Sequence, residues 1–94
     1  MRRTTRSIIQ AERTCLICGS PYTEVHHIYF GQGRRRISDR EGFIAYLCPE
    51  HHRGRYSPHA DRKTDLWLKK RCQTVYEETH TRAEFMALIG KSYI

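Results

Sequence analysis

Two short-spaced pairs constrain this chain more than any other feature: Cys15-x-x-Cys18 and Cys48-x-x-His51, with 29 residues between them. A two-residue spacer lets both side chains of one turn reach a single ion, and two such pairs make a tetrahedral set of three thiolates and one imidazole. A single CxxC is a weak signal, whereas two pairs together are a strong one. The chain also needs such a staple. Its 94 residues suffice for one domain, and only 38% of them are hydrophobic, below the roughly 45–50% of ordinary globular domains. A core that thin seldom holds a small domain by itself. An ion on Cys15, Cys18, Cys48 and His51 contributes folding free energy directly. The remaining cysteine, Cys72, lies on an apolar helical stripe and reads as a core residue, since free Cys packs as a small hydrophobe.

Charge narrows the function classes. The chain has 17 Lys plus Arg against 10 Asp plus Glu, a formal net charge of +7. Arg outnumbers Lys 13 to 4, and residues 1–40 hold eight Arg against Glu12, Glu24 and Asp39. Arg is the better bidentate phosphate ligand, so a nucleic-acid partner is expected. No run approaches the ~18 apolar residues of a membrane span. The basic start, Met1 to Arg6, is not followed by the apolar stretch of a secretory signal. A cytoplasmic location is therefore expected, where cysteines are more often metal ligands than disulfides.

The pattern along the chain predicts an α+β fold. Arg3 to Arg13 reads as a short helix with Ile8 and Ile9 as its apolar contacts. Residues 23–28 are β-branched enough for a strand, Gly31 to Arg36 for a flexible basic loop, and residues 43–47 for a second strand ended by Cys48-Pro49. A short helix begins near Pro49. Ser57-Pro58 looks like an N-cap with Pro at the first helical position, opening a long helix over 58–79 with Leu68, Cys72, Val75, Tyr76 and Thr79 on its inner face. Thr81 and Glu84 form a capping box. It opens a last helix whose Phe85, Leu88 and Ile89 face inward and which stops at Gly90.

Four ligands leave His26, His27, His52, His59 and His80 over. His26 and His27 are neighbours on a strand, so they point to opposite faces. One can ligate an ion while the other activates water. A buried neutral imidazole needs a partner, which makes a core role for all of His26, His27, His52 and His59 a poor explanation. No role is assigned to His80.

These residues, Cys15-Leu-Ile-Cys18-Gly, then Glu24-Val-His26-His27-Ile, then Leu47-Cys-Pro-Glu-His51-His52, resemble an HNH endonuclease of the ββα-metal (His-Me finger) type. The layout is most similar to the small HNH-type proteins of bacteriophages and prophages. The resemblance covers residues 13–60 in detail and the tail more loosely. It implies a single HNH nuclease-like domain over 1–94: a basic N-terminal segment (1–14), a ββα-metal core stapled by zinc (15–60) and a helical part (61–94).

The resemblance also implies roles. His27 matches the general base, His26 the metal ligand before it, and His52 the ligand on the helix. His51 takes the place of the last zinc-binding cysteine, and His59 is placed to be a third ligand of a catalytic divalent ion (Mg²⁺, Mn²⁺, Ni²⁺ or Zn²⁺). His51 and His52 can exchange these roles on spacing alone. The implied reaction is hydrolysis of DNA phosphodiester bonds, on double-stranded DNA with little sequence specificity, in the bacterial host cytoplasm beside phage packaging or recombination proteins. Arg34, Arg35, Arg36, Arg53 and Arg55 are the candidate phosphate contacts. The family's middle Asn falls near Phe43, which cannot hold the base by hydrogen bonds. That leaves a backbone carbonyl or Ser38 for the task. The alternative function is a non-catalytic zinc-stapled nucleic-acid-binding or adaptor module of a phage.

Overall fold

The structure is a computed structural model that describes residues 6–94. Its elements are β1 (Glu24–His27), α1 (Arg34–Glu41), β2 (Ile44–Leu47), α2 (Pro49–Arg53), α3 (Arg62–Tyr76) and α4 (Arg82–Ile89). The fold is α+β. β1 and β2 pair antiparallel, with Glu24 opposite Leu47, Val25 opposite Tyr46, His26 opposite Ala45 and His27 opposite Ile44. No helix among the described residues is long and apolar enough to cross a membrane.

The core lies between the hairpin and the helices α3 and α4. Ile28, Phe43, Ala45, Leu47, Leu68, Cys72 and Phe85 are fully buried. Tyr29, Phe43 and Phe85 meet ring to ring, with Tyr29 edge-on to both others at 5.4 Å between centroids. Such edge contacts add about 0.5–1.5 kcal/mol to the burial of the rings. Phe43 is thus an aromatic anchor of the core. Cys72 is also in the core, where burial pushes its thiol up to about 12, so it stays a protonated packing group.

The connection between the strands differs from the flexible loop predicted for residues 31–36. Gly33, with φ of 84°, starts a two-turn helix, and Gly42, with φ of 82°, ends it. The helix RRRISDRE has Ile37 as its one apolar residue, so it shows no hydrophobic periodicity. It is fastened instead by Ser38, which accepts from Tyr29 N (3.1 Å) and donates to Tyr29 O (2.6 Å). A Cβ at Gly42 would lie 2.4 Å from the Arg6 carbonyl oxygen, so the N-terminal segment closes over this turn.

That segment is not the helix predicted for Arg3 to Arg13. Residues 3–5 lie outside the described residues, and residues 6–13 run irregularly along the outer edge of β2. Ile8 N donates to Gly42 O, Ser7 Oγ to Ile44 O, Tyr46 N to Gln10 Oε1 and Leu16 N to Tyr46 O. The unpaired polar edge of a two-stranded sheet must be satisfied, and this demand outweighs a weak helical pattern.

The long helix is also shorter than 58–79. Asp61 is its N-cap, accepting from Lys63 N at 3.0 Å. Residues 57–61 form a tight turn, in which Ala60 N and Asp61 N both donate to Ser57 O. His59 therefore stands on a turn ahead of the helix. The buried face of α3 runs through Asp65, Leu68, Lys69, Cys72, Gln73 and Tyr76; Thr79 is outside it. Gln73 is buried because it anchors the tail, accepting from Tyr93 N and donating to Ser92 Oγ. The Thr81–Glu84 capping box and the Gly90 stop are as predicted.

Candidate metal centres and the adjoining cleft

The first centre joins the two short-spaced pairs. Cys15 and Cys18 flank a turn closed by Gly19 N donating to Cys15 O at 2.8 Å, with Gly19 at φ 81°. Cys48 is the N-cap of α2, Pro49 begins the helix, and His51 follows within its first turn. The ligand atoms of Cys15, Cys18, Cys48 and His51 lie within 4.8 Å of one another. The neighbouring pairs are closer: Cys18 Sγ to Cys48 Sγ is 3.7 Å, Cys15 Sγ to His51 Nδ1 3.6 Å, and Cys48 Sγ to His51 Nδ1 3.3 Å. Metal bonds of about 2.3 Å to sulfur and about 2.0–2.1 Å to nitrogen give tetrahedron edges of roughly 3.7 and 3.6 Å. The four residues thus sit at the spacing of one tetrahedral ion. Burial works to raise the Cys15 thiol, but hydrogen bonds from the backbone of Cys48, Cys18 and Ile17 outweigh it and lower the thiol to about 6. A thiol so poised reaches the thiolate form that a metal requires.

The second cluster is on the inner face of the hairpin. The ligand nitrogens of His26, His52 and His59 also lie within 4.8 Å of one another. Their rings meet at 5.0 Å (His26–His59), 5.3 Å (His52–His59) and 5.4 Å (His26–His52) between centroids. His26 is 1% exposed, and its Nε2 has no hydrogen-bond partner among the described residues. Burial, and then the charges of His59, His52 and Lys69, lower its pKa to about 3. The ring is therefore neutral and its buried nitrogen is unsatisfied, which costs about 1–3 kcal/mol unless something else binds there. A divalent ion fits that vacancy of bonding. The spacing left His51 and His52 interchangeable. In the fold, His51 lies with the cysteines and His52 with the histidines.

His27 turns the other way. It lines a cleft of about 670 Å³ with Arg13, Arg35, Arg36 and Asp39 around it and Val25, Ile44 and Tyr46 beneath. His27 Nε2 is 3.3 Å from Asp39 Oδ1. Ser38, one expected holder of this ring, is committed to Tyr29, and the carboxylate beside it on α1 lies against Nε2. Asp39 was missed because α1 was read as a loop. Once it is a helix, Arg35, Arg36 and Asp39 are neighbours at i, i+4 and i, i+3, and all face the cleft.

The other arginines are placed differently. Arg34 Nε donates to Ile89 O at 2.6 Å, capping the end of α4. Arg53 is bound to Glu24 Oε2 at 2.6 Å, and Arg55 is exposed. Glu24, the other residue the sequence reading left without a role, also bonds His52 Nδ1 at 2.7 Å.

No protein-family model, curated protein or solved structure matches this chain.

Proposed function

We propose that this chain is a metal-dependent endonuclease of the HNH (ββα-metal) type, hydrolysing phosphodiester bonds in DNA, with zinc at Cys15, Cys18, Cys48 and His51. The observation that carries this reading is the division of one strand. His26 turns inward to His52 and His59 with an unsatisfied buried nitrogen, and His27 turns outward into an arginine-lined cleft. A structural centre explains neither histidine.

In this reading His26, His52 and His59 would hold one divalent ion. Such an ion supplies Lewis-acid stabilisation of the charge that develops on the scissile phosphate and its leaving oxygen. The rest falls to side chains of the chain. Asp39 Oδ1, 3.3 Å from His27 Nε2, would hold the imidazole in place. The imidazole takes a proton from water as the water attacks phosphorus. Arg35, Arg36 and Arg13 neutralise phosphate charge along the cleft.

Wild-type protein is expected to nick supercoiled plasmid with Mg²⁺ or Mn²⁺ and to stop when chelator removes the added ion. The second reading, a zinc-stapled binding module without catalysis, is favoured by Phe43 in the place of the family's Asn. It gives DNA binding with no nicking under any divalent ion.

The arginines separate by salt dependence. Arg35→Gln with Arg36→Gln is expected to flatten the slope of log affinity against log salt by about 2, at roughly 0.9 per phosphate contact on duplex DNA. Arg34→Gln is expected to lower the melting temperature instead, because it uncaps α4. Filter binding at several salt concentrations checks the first, and thermal unfolding the second. An unchanged slope in the double variant removes Arg35 and Arg36 from the DNA interface.

A further inference from the structure

Glu24 opens β1 two residues before His26, on the same face of the strand. Its carboxylate is shared: Oε1 is 2.7 Å from His52 Nδ1, and Oε2 is 2.6 Å from the Arg53 guanidinium. The Arg53 guanidinium is a permanent cation, and the carboxyl paired with it at this distance is a carboxylate. An ionised carboxylate only accepts hydrogen bonds. The proton between them therefore sits on His52 Nδ1, and Nε2 is the nitrogen left for the cluster with His26 and His59.

We infer that Glu24 is a positioning residue: by holding His52 in the Nδ1–H tautomer it sets the affinity of the His26–His52–His59 cluster for a divalent ion. This rests on the reading of that cluster as an ion site. Nothing in the sequence marked Glu24 for this work, because 27 residues separate it from His52. In water a neutral imidazole favours the opposite tautomer, with the proton on Nε2, which must move before that nitrogen can bind an ion. Glu24 removes that step in advance and fixes the ring's direction. Loss of such an outer partner typically lowers metal affinity by about 10–100-fold. The carboxylate lies at the partly exposed edge of the hairpin, 34% exposed, so its truncation opens no core cavity.

The test uses the full chain loaded with zinc, with Ni²⁺ as the probe ion. Nitrogen-15 NMR of the histidine rings reads the tautomer before Ni²⁺ is added, and calorimetry reads the affinity. In wild type, His52 is expected as Nδ1–H. In Glu24→Ala it is expected to shift toward Nε2–H, with Ni²⁺ binding about 10–100-fold weaker. Glu24→Gln keeps an acceptor and is expected to restore the tautomer and most of the affinity. A mere strand-to-helix tie through Arg53 moves neither readout in this order. If Glu24→Ala keeps the Nδ1–H form, or binds Ni²⁺ as tightly as wild type, the role of Glu24 is overturned while the ion site stands. If wild type takes up no ion beyond zinc, the ion site itself is overturned, whatever the tautomer.

Discussion

His27→Ala is expected to slow plasmid nicking by about 10²–10⁴-fold, the usual contribution of a positioned general base. Zinc content and the unfolding transition should stay as in wild type. The separation follows from where the ring sits. His27 is half-buried at the end of β1, in neither metal cluster and outside the aromatic core. In the proposed reading its neighbour Asp39 orients the ring, so Asp39→Ala should lose part of the same rate. Asp39→Asn keeps an acceptor for Nε2–H and should lose least. Gel conversion of supercoiled to nicked plasmid, with calorimetric melting of each variant, checks the series. Nicking by His27→Ala at the wild-type rate would show that the proton goes elsewhere.

Removing the ion from the cysteine centre is expected to have the largest effect on stability. Structural zinc contributes an apparent ≈ 10–16 kcal/mol in small zinc-finger peptides at pH 7, whereas a whole domain is typically stable by about 5–15 kcal/mol. Even half that contribution, about 5–8 kcal/mol, is comparable with the whole stability of a small domain. The four ligands also join pieces with little else to hold them: the 15–19 turn, whose backbone meets the hairpin through Leu16 N to Tyr46 O, and α2, which is five residues long. Strong chelation, or Cys48→Ser, is expected to abolish the cooperative melt seen by circular dichroism, and zinc should restore it after chelation but not in the variant. His59→Ala should leave the melt in place, since His59 is exposed on a turn. A chelated chain that melts cooperatively at the wild-type temperature would show that the core suffices.

The parts of the fold legible in the sequence are those whose signals are local. The two ligand pairs, the Thr81–Glu84 box, the Gly90 stop and the two strands each rest on residues within a few positions of one another, and each is found where the pattern predicts. What was not legible depends on distant partners. α1 carries no apolar stripe and is fixed by Ser38 to a residue nine positions before it, Tyr29. The N-terminal segment takes its course from the unpaired edge of β2, more than thirty positions away, as the Ser7–Ile44 bond shows. Ser57-Pro58 imitates a cap, but Asp61 has the bond to Lys63 N. For the site, the histidines were legible as an excess over what a single centre needs. The carboxylates beside them were not. Asp39 depended on recognising α1, and Glu24 on knowing that β1 lies against α2.

The central claim is that seven residues divide into two separate ion centres on either side of one sequence junction, His51–His52. Anomalous diffraction from crystals grown with zinc and soaked in Mn²⁺, recorded at both absorption edges, tests it most directly. Zinc is expected among Cys15, Cys18, Cys48 and His51, and manganese among His26, His52 and His59. A single ion per chain, or zinc bound through His52 with His51 turned to solvent, would contradict the division and with it the proposed catalytic centre.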